Sequence, residues 1–362
     1  MNIVFRTDAS IEIGTGHVMR CLTLADALTQ QGHHCVFICR AHFGHLGELI
    51  QSKGYTLHLL PLTDLSAAVQ ELNRNAHAPW LGTTWQQDAD QTLDLLKQQK
   101  VDWLVVDHYA LDHQWERRVQ AGFHRLMVMD DLADRAHRCD LLLDQTYGRE
   151  PKDYEPLVPE HCEILCGSQY ALLRPEFAQW REYSLKRRAD AELKQLLINL
   201  GGVDKDNVTG TVLDALQTCT LPDDCCIVIV MGATAPWLEQ VRLQAQKLPW
   251  KTEVKIGITN MAQLMADSDL AIGAAGSTTW ERCCLGLPAL MLVLAENQQM
   301  IAQRLEVAGA CHVIELQDQE CQLKEALDML TNKHLQNFTT KALAITDGRG
   351  IDQVIHYLVA LA

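Results

Sequence analysis

The sequence predicts an α/β protein of two doubly wound, Rossmann-like domains facing across a cleft. Three observations predict it. Strand-like apolar runs alternate with helical runs almost throughout, the alternation is interrupted once between about residues 166 and 191, and each half opens on a strand that runs into a glycine turn. A βαβ series of this kind gives a parallel sheet with helices on both faces.

In the first half, 2–7 is a short apolar run followed by the loop Ile13-Gly14-Thr15-Gly16-His17. Val18, Leu22, Ala25 and Leu28 then sit at helical spacing, and Gly32 closes the helix. Residues 35–39 read as the next strand, and a helix around 45–53 ends at Gly54. Runs at 101–107, 125–130 and 140–144 continue the strand series. Residues 169–191, with Arg181, Lys186, Arg187 and Arg188, read as a connector between a domain at 1–168 and one at 192–345. The second series opens with 195–200 and the turn Gly201-Gly202, and strands at 226–231, 253–256, 270–272 and 289–294 follow.

Composition narrows the function classes. The 362 residues are 48% hydrophobic and 21% charged, which is ordinary globular composition. Fifteen basic residues stand against 24 acidic in the first 180, and 16 against 22 in the rest, so neither half is a basic module. Such surfaces repel phosphate backbones and anionic lipid, so neither nucleic acid nor membrane is expected as a partner. An anionic small molecule would need local backbone donors instead of a field of lysines. The thirteen cysteines are scattered without a C-x-x-C, which argues for reduced thiols and no metal site. With no signal-like opening and no apolar stretch of bilayer length, a cytoplasmic location is expected.

In open parallel sheets ligands sit beyond the carboxyl ends of the strands, so candidate chemistry is sought in the loops there. His17 follows Gly14 and Gly16 at a helix start, where positive potential disfavours imidazolium and leaves a ring able to accept a proton. Asp8, ending the same strand, is the expected orienting carboxylate. In the second half, Gly273-Ala-Ala-Gly276-Ser277-Thr278-Thr-Trp-Glu281 presents small residues and hydroxyls at a helix start, a seat for a diphosphate. Glu281 then accepts from the two hydroxyls of a ribose, or else closes a capping box with Thr278. Asn297 and Gln298 follow the strand at 289–294, and Asn260 and Met261 follow the one ending at 256, as binding candidates or as solvated helix caps. Asp107-His108-Tyr109 and Asp130-Asp131 also end strands, but no pair carries the signature of a glycosidase or a magnesium site. The glycine pattern is neither a Walker loop nor a dinucleotide fingerprint, which weakens an NAD-dependent reading.

The string Arg6-Thr-Asp-Ala-Ser10 followed by Ile13-Gly-Thr-Gly-His17-Val-Met-Arg-Cys21 resembles the opening of the pseudaminic-acid pathway hydrolases. That family removes UDP from UDP-2,4-diacetamido-2,4,6-trideoxy-β-L-altropyranose. Val106-Asp-His-Tyr109, Asp130-Asp-Leu-Ala-Asp-Arg135, Cys139-Asp-Leu-Leu-Leu-Asp-Gln145, Tyr170-Ala-Leu-Leu-Arg-Pro-Glu-Phe177, Asn199-Leu-Gly-Gly-Val-Asp204 and Glu296-Asn-Gln298 extend the resemblance along essentially the whole chain. It departs at Thr146, where the family carries Asn.

The resemblance implies a glycosyltransferase-B-like architecture with UDP held mainly by the second domain, and a final helix at 346–362 crossing back to the first. It implies that His17 is the essential histidine of the GxGH motif. Gly276, Ser277, Thr278 and Glu281 match the nucleotide-binding segment; Gly14, Gly16, Gly201, Gly202, Asn260, Met261, Asn297 and Gln298 are further candidate contacts by their place in loops at strand ends. The expected partner is a small-molecule UDP-sugar, with no cofactor and no obligate protein partner. A diphosphate leaves well once its charge is stabilised, so one base that activates water is sufficient. The competing readings are a glycosyltransferase with a sugar or lipid acceptor, and a UDP-sugar-binding protein without turnover.

Overall fold

The first apolar run, Asn2–Thr7 (β1), is an inner strand of a seven-stranded parallel sheet in a computed structural model that describes residues 1–63, 76–189, 192–315 and 319–362. The other strands of this sheet are His34–Arg40 (β2), Thr56–Leu60 (β3), Trp103–Asp107 (β4), Arg125–Met129 (β5), Leu141–Asp144 (β6) and Glu163–Cys166 (β7), in the order β3-β2-β1-β4-β5-β6-β7. Helices cover both faces, so alternate residues of one strand enter different cores. Ile3 and Phe5 join the layer that holds Val18, Leu22 and Leu28 of the Gly16–Gln30 helix, while Val4 joins the layer of Leu96 and Trp115. That double burial is why the strands read as continuous apolar runs.

A second, six-stranded parallel sheet contains Gln195–Asn199 (β8), Cys226–Met231 (β9), Lys251–Ile256 (β10), Leu270–Ala274 (β11), Ala289–Leu292 (β12) and His312–Ile314 (β13), in the order β10-β9-β8-β11-β12-β13. Its core is built from Leu196, Ile198, Ile229, Ile272 and Leu290 of the strands with Val212, Leu213 and Val241 of the helices. The chain divides into two units, Met1–Leu172 with Ile351–Ala362, and Leu173–Gly350. Three edge or near-edge strands, β3, β7 and β13, were absent from the sequence reading. They are short, and β3 is broken by His58, so none carries a full apolar run.

The stretch expected as a connector is corrected by the structure. Pro175–Arg188 is a helix of the second unit, and its arginines serve as caps for other helices. Arg181 donates to the carbonyls of Cys284 and Thr346, and Arg188 to those of Met265, Ser268 and Leu285. Cys284, Ser268 and Leu285 lie at or just past helix ends, where a cation is also favoured by the dipole. A basic run thus reads as a solvated linker in sequence and is a set of rivets in the fold. The boundary expected at 191–192 falls partly on 190–191, which lie outside the described residues.

The final helix, Gly350–Ala360, sends Ile351, Val354, Ile355 and Leu358 into the core that surrounds Phe5 and Trp103. Removing the buried Leu358 side chain leaves a cavity there, and Leu358→Ala should cost about 2–5 kcal/mol in urea unfolding. Hydrogen exchange should accelerate in β1 and the Gly16–Gln30 helix of that variant and stay unchanged in β8 and β11.

Candidate functional sites at the two strand reversals

In each sheet the chain winds outward in one direction from its first strand and then in the other. The reversals fall between β1 and β4 and between β8 and β11. Loops leaving the carboxyl ends of two such strands diverge, and the crevice between them is where a ligand fits.

At the first reversal, His17 occupies the opening turn of the Gly16–Gln30 helix and is 8% exposed. Its Nδ1 lies 2.6 Å from Oδ1 of Asp107, the last residue of β4. Asp8 is therefore not the orienting carboxylate, and register gives the reason. Thr7 is paired with Asp107, so these two residues share a face of the sheet, and Asp8 falls on the other. There Asp8 accepts from Arg6 at 2.7 Å and from the Arg40 amide at 2.6 Å, with His108 Nε2 3.2 Å away. Arg6 and Arg40 also bind Asp88, which accepts from Trp115 as well. These contacts, with His42 Nε2 3.6 Å from Asp8, tie Asp8 into a buried structural network.

Asp107 is fully buried and holds two groups of one helix face. Besides His17 it accepts from Arg20 Nε at 2.6 Å and Nη2 at 2.7 Å. Burial alone would raise its carboxyl, but Arg20 and then His17 outweigh that and hold it far below the usual carboxylate range. An ionised acceptor at Nδ1 fixes the proton on that nitrogen and leaves the Nε2 lone pair available as a base. Arg20 also donates to Asp131 at 2.6 Å, and Asp131 accepts from the Tyr109 hydroxyl at 2.6 Å. The Tyr109 ring meets the imidazole edge-on at 4.5 Å, and Trp80 and His77 complete an aromatic wall. The carboxylates that end strands are thereby committed. Asp130 is held by Arg135, Tyr154 and the amides of Leu132 and Ala133, so neither a glycosidase pair nor a magnesium site is formed from these residues. Among the described residues no cluster of three metal-ligating side chains is found.

Gly14 adopts φ +79° and closes a tight turn with Ser10 through a 2.9 Å hydrogen bond. The Ser10 hydroxyl accepts from the amides of Glu12 and Ile13, and Gly16 begins the helix. The loop is thus fixed by its own backbone, which sets where His17 enters the helix.

At the second reversal, Gly273 of β11 pairs with Asn199 of β8 on one side and Met291 of β12 on the other, so the loops after these three strands emerge side by side. Gly201 has φ +103° and open space where a side chain would be, and Gly202 accepts from the Gly232 amide. Ser277 is the N-cap of the Thr278–Cys284 helix and makes no capping bond with its side chain. The capping box therefore does not form: Thr278 is already helical and its hydroxyl accepts from Arg282. Amides of Gly276, Ser277 and Thr278 find no acceptor among the described residues. Gln298 reaches across from the β12 loop, its Oε1 accepting from Leu294 and its Nε2 lying 3.8 Å from where a Gly276 Cβ would stand. Asn297 belongs to the same short helix, Glu296–Gln298.

Glu281 lies one turn further on with its side chain 17% exposed, and Arg174 stands 3.9 Å from it. Burial pushes its carboxyl up to about 7, against the pull of Arg174 and Arg282. A carboxyl so placed is ready to accept donors from a ligand. Asn260 and Met261 start a helix after β10, three strand positions from β11, and no hydrogen bond joins them to the other loops.

The residues missed by sequence reasoning are Asp107 as partner of His17, together with Arg20, Tyr109, Trp80 and His77. The spacing of His17 and Arg20, three residues apart on one helix face, was the available signal.

Comparison with known proteins adds the following. Residues 197–353 match the glycosyltransferase family 28 C-terminal domain. The chain is 28% identical over 312 residues to the UDP-2,4-diacetamido-2,4,6-trideoxy-beta-L-altropyranose hydrolase of Campylobacter jejuni, covering 85% of this chain and 97% of that protein. It is 26% identical over 321 residues to the spore coat polysaccharide biosynthesis protein SpsG of Bacillus subtilis, covering 86% and 82%. Among solved structures, MurG of Acinetobacter baumannii superposes with a TM-score of 0.69 at 17% identity over 99% of each chain. Anabaena HepE, solved with UDP-glucose, superposes with a TM-score of 0.57 at 12% identity over the whole of each chain. At these identities the two structures establish the fold, which is glycosyltransferase-B-like. No helix among the described residues is long and apolar enough to cross a membrane.

Two outcomes follow from this geometry. Asp107→Asn offers Nδ1 an amide donor in place of a carboxylate, so nitrogen NMR of His17 should show the proton moved from Nδ1 to Nε2. For Glu281, the folded chain retains a proton between its ordinary value of 4.5 and about 7 that the unfolded chain has released. Its contribution to stability therefore falls as pH rises through that window. Urea unfolding should show Glu281→Gln gaining on the wild type between pH 5 and 8; a pH-independent difference would refute the assignment.

Proposed function

We propose that this chain, whose fold is glycosyltransferase-B-like, is a UDP-sugar hydrolase. The substrate that fits its relatives best is UDP-2,4-diacetamido-2,4,6-trideoxy-β-L-altropyranose, released as the free sugar for pseudaminic acid biosynthesis. The observation that carries the reading is the His17–Asp107 pair, an oriented imidazole with an unoccupied Nε2 at a strand reversal.

In this reading Nε2 of His17 takes a proton from water as the oxygen attacks the anomeric carbon opposite the nucleotide. The C1–O bond breaks, UDP departs with the electron pair, and the sugar is released with inverted configuration. Asp107 stabilises the imidazolium as it forms, while Arg20 keeps Asp107 ionised. In the second unit the amides of Gly276, Ser277 and Thr278 receive the diphosphate and Glu281 accepts the ribose hydroxyls. Gly201 and Gly202 admit the ligand to the backbone, and Gln298 and Asn297 border the same loop. Asn260 and Met261 are assigned to the nucleotide by their position after a strand alone, and Gly14 and Gly16 serve by shaping the His17 loop. The mechanism calls for no cofactor, metal or protein partner. Thirteen free thiols suit a reducing, cytoplasmic setting.

A second reading, transfer of the sugar to an acceptor, is favoured by the family 28 match. Incubation with the UDP-sugar in ¹⁸O-water, without any acceptor, separates the two. Hydrolysis at carbon gives labelled free sugar, label in UDP means attack at phosphorus, and no turnover leaves the transferase reading standing. His17→Ala should lose roughly 10²–10⁴-fold in turnover with UDP affinity unchanged. Glu281→Gln should weaken UDP binding by roughly 10–100-fold, the scale of hydrogen bonds to a charged group, as read by calorimetry.

A further inference from the structure

Behind the Gly276–Ser277–Thr278 turn stands a cation with no carboxylate in ion-pair contact; the acid that acts on it through space is its neighbour Glu281, whose own carboxyl is raised to about 7 by burial. Arg282 is 2% exposed. Its Nη2 donates to the Ala274 carbonyl at 2.6 Å and to the Thr279 hydroxyl at 3.0 Å, and its Nη1 to the Thr278 hydroxyl at 3.3 Å. Nε has no partner, and no carboxylate pairs with the guanidinium among the described residues. Two other buried arginines are balanced by a carboxylate and a third by backbone acceptors alone. Arg6 and Arg40 hold Asp88, and Arg188 is ringed by carbonyls at helix ends. Room for the Arg282 head exists because residue 273 is glycine, where a Cβ would stand 2.3 Å from Nη1.

A buried charge with no counter-ion in contact is costly, and a guanidinium does not escape by losing its proton. All its hydrogen bonds go to the turn itself, whose free amides add to its positive potential instead of offsetting it. The missing element is an anion on the open side of that turn.

We propose that Arg282 is a positioning residue for a nucleoside diphosphate. It draws the Ala274 carbonyl back and anchors both threonine hydroxyls, so that the turn presents N–H groups outward, and it supplies the net positive charge that selects a diphosphate over a neutral nucleoside. The inference rests on the nucleotide reading of the second unit given above.

Calorimetry and ligand-observed NMR on the full chain test it, with UDP, uridine and inorganic pyrophosphate as probes and Arg282→Met and Arg282→Lys as variants. Arg282→Met should lose roughly 10–100-fold in affinity for UDP and pyrophosphate while keeping its affinity for uridine. Arg282→Lys should preserve most of the UDP-to-uridine preference. Arg282→Gln replaces the methionine variant if that one does not fold. Equal losses for UDP and uridine would mean that the side chain only supports the fold. Undiminished UDP binding in the neutral variant, or a lysine variant as unselective as methionine, would equally overturn the proposal. A wild-type chain that binds neither UDP nor uridine would instead remove the nucleotide reading itself.

Discussion

The buried charge of Asp107 is the constraint around which the first unit is arranged. A carboxylate with no exposure, at the end of a central strand, has to be neutralised by groups brought to it. Both come from one helix: His17 and Arg20 lie a single turn apart, so satisfying Asp107 fixes the rotation of the Gly16–Gln30 helix about its axis as well as the imidazole. Arg20 then reaches Asp131, and Asp131 holds the Tyr109 hydroxyl beside the same imidazole. The position of the one free ring nitrogen is thereby over-determined by three elements of the fold. That is the kind of support a general base needs if its geometry is to survive without substrate.

The large features were legible in the sequence because they depend on local pattern. Parallel strands buried on both faces leave continuous apolar runs, and glycine turns after β1 and β8 mark where the backbone must stay open. What the sequence could not supply was register. Asp8 and Asp107 both end strands and both look suited to orient His17, yet parity across the β1–β4 pair sends them to opposite faces. That parity comes from tertiary pairing and has no trace in either segment. Edge strands were missed for a related reason: β3, β7 and β13 are short and less buried, so the pattern that betrays central strands is weak in them. The arginines of Pro175–Arg188 read as a solvated charge run, because nothing local reveals which carbonyls they cap.

The second unit shows the same limit from the other side. Its turn was found through small residues and hydroxyls, but the capping-box alternative for Glu281 could be removed only once Ser277 was seen as the N-cap and Thr278 as a partner of Arg282. In sequence Arg282 sits between Glu281 and two cysteines and resembles any surface arginine. Folded, it lies under the turn in space that Gly273 leaves, and Glu281, one residue earlier, keeps a carboxyl without a hydrogen bond. A buried cation with no carboxylate in contact and an acid without a hydrogen bond thus stand on adjacent residues. In the proposed reading they are two halves of a site that is complete only when an anion and its hydroxyl donors are bound.

The pattern of committed carboxylates bears on which chemistry the first unit can support. A glycosidase that expels an alkoxide needs a carboxylic acid to protonate it and a second carboxylate to assist. Here Asp8 is bound to Arg6, Asp107 to Arg20 and His17, Asp130 to Arg135 and Tyr154, and Asp131 to Arg20 and Tyr109. Asp144, pushed up to about 7 by burial and by Asp131, is spent on Arg149 and Tyr154. None of these stands free to donate a proton to a leaving group, whereas the imidazole nitrogen stands free to accept one. In the proposed reading this site suits leaving groups that depart as stable anions, and among glycosyl donors a nucleoside diphosphate meets that condition.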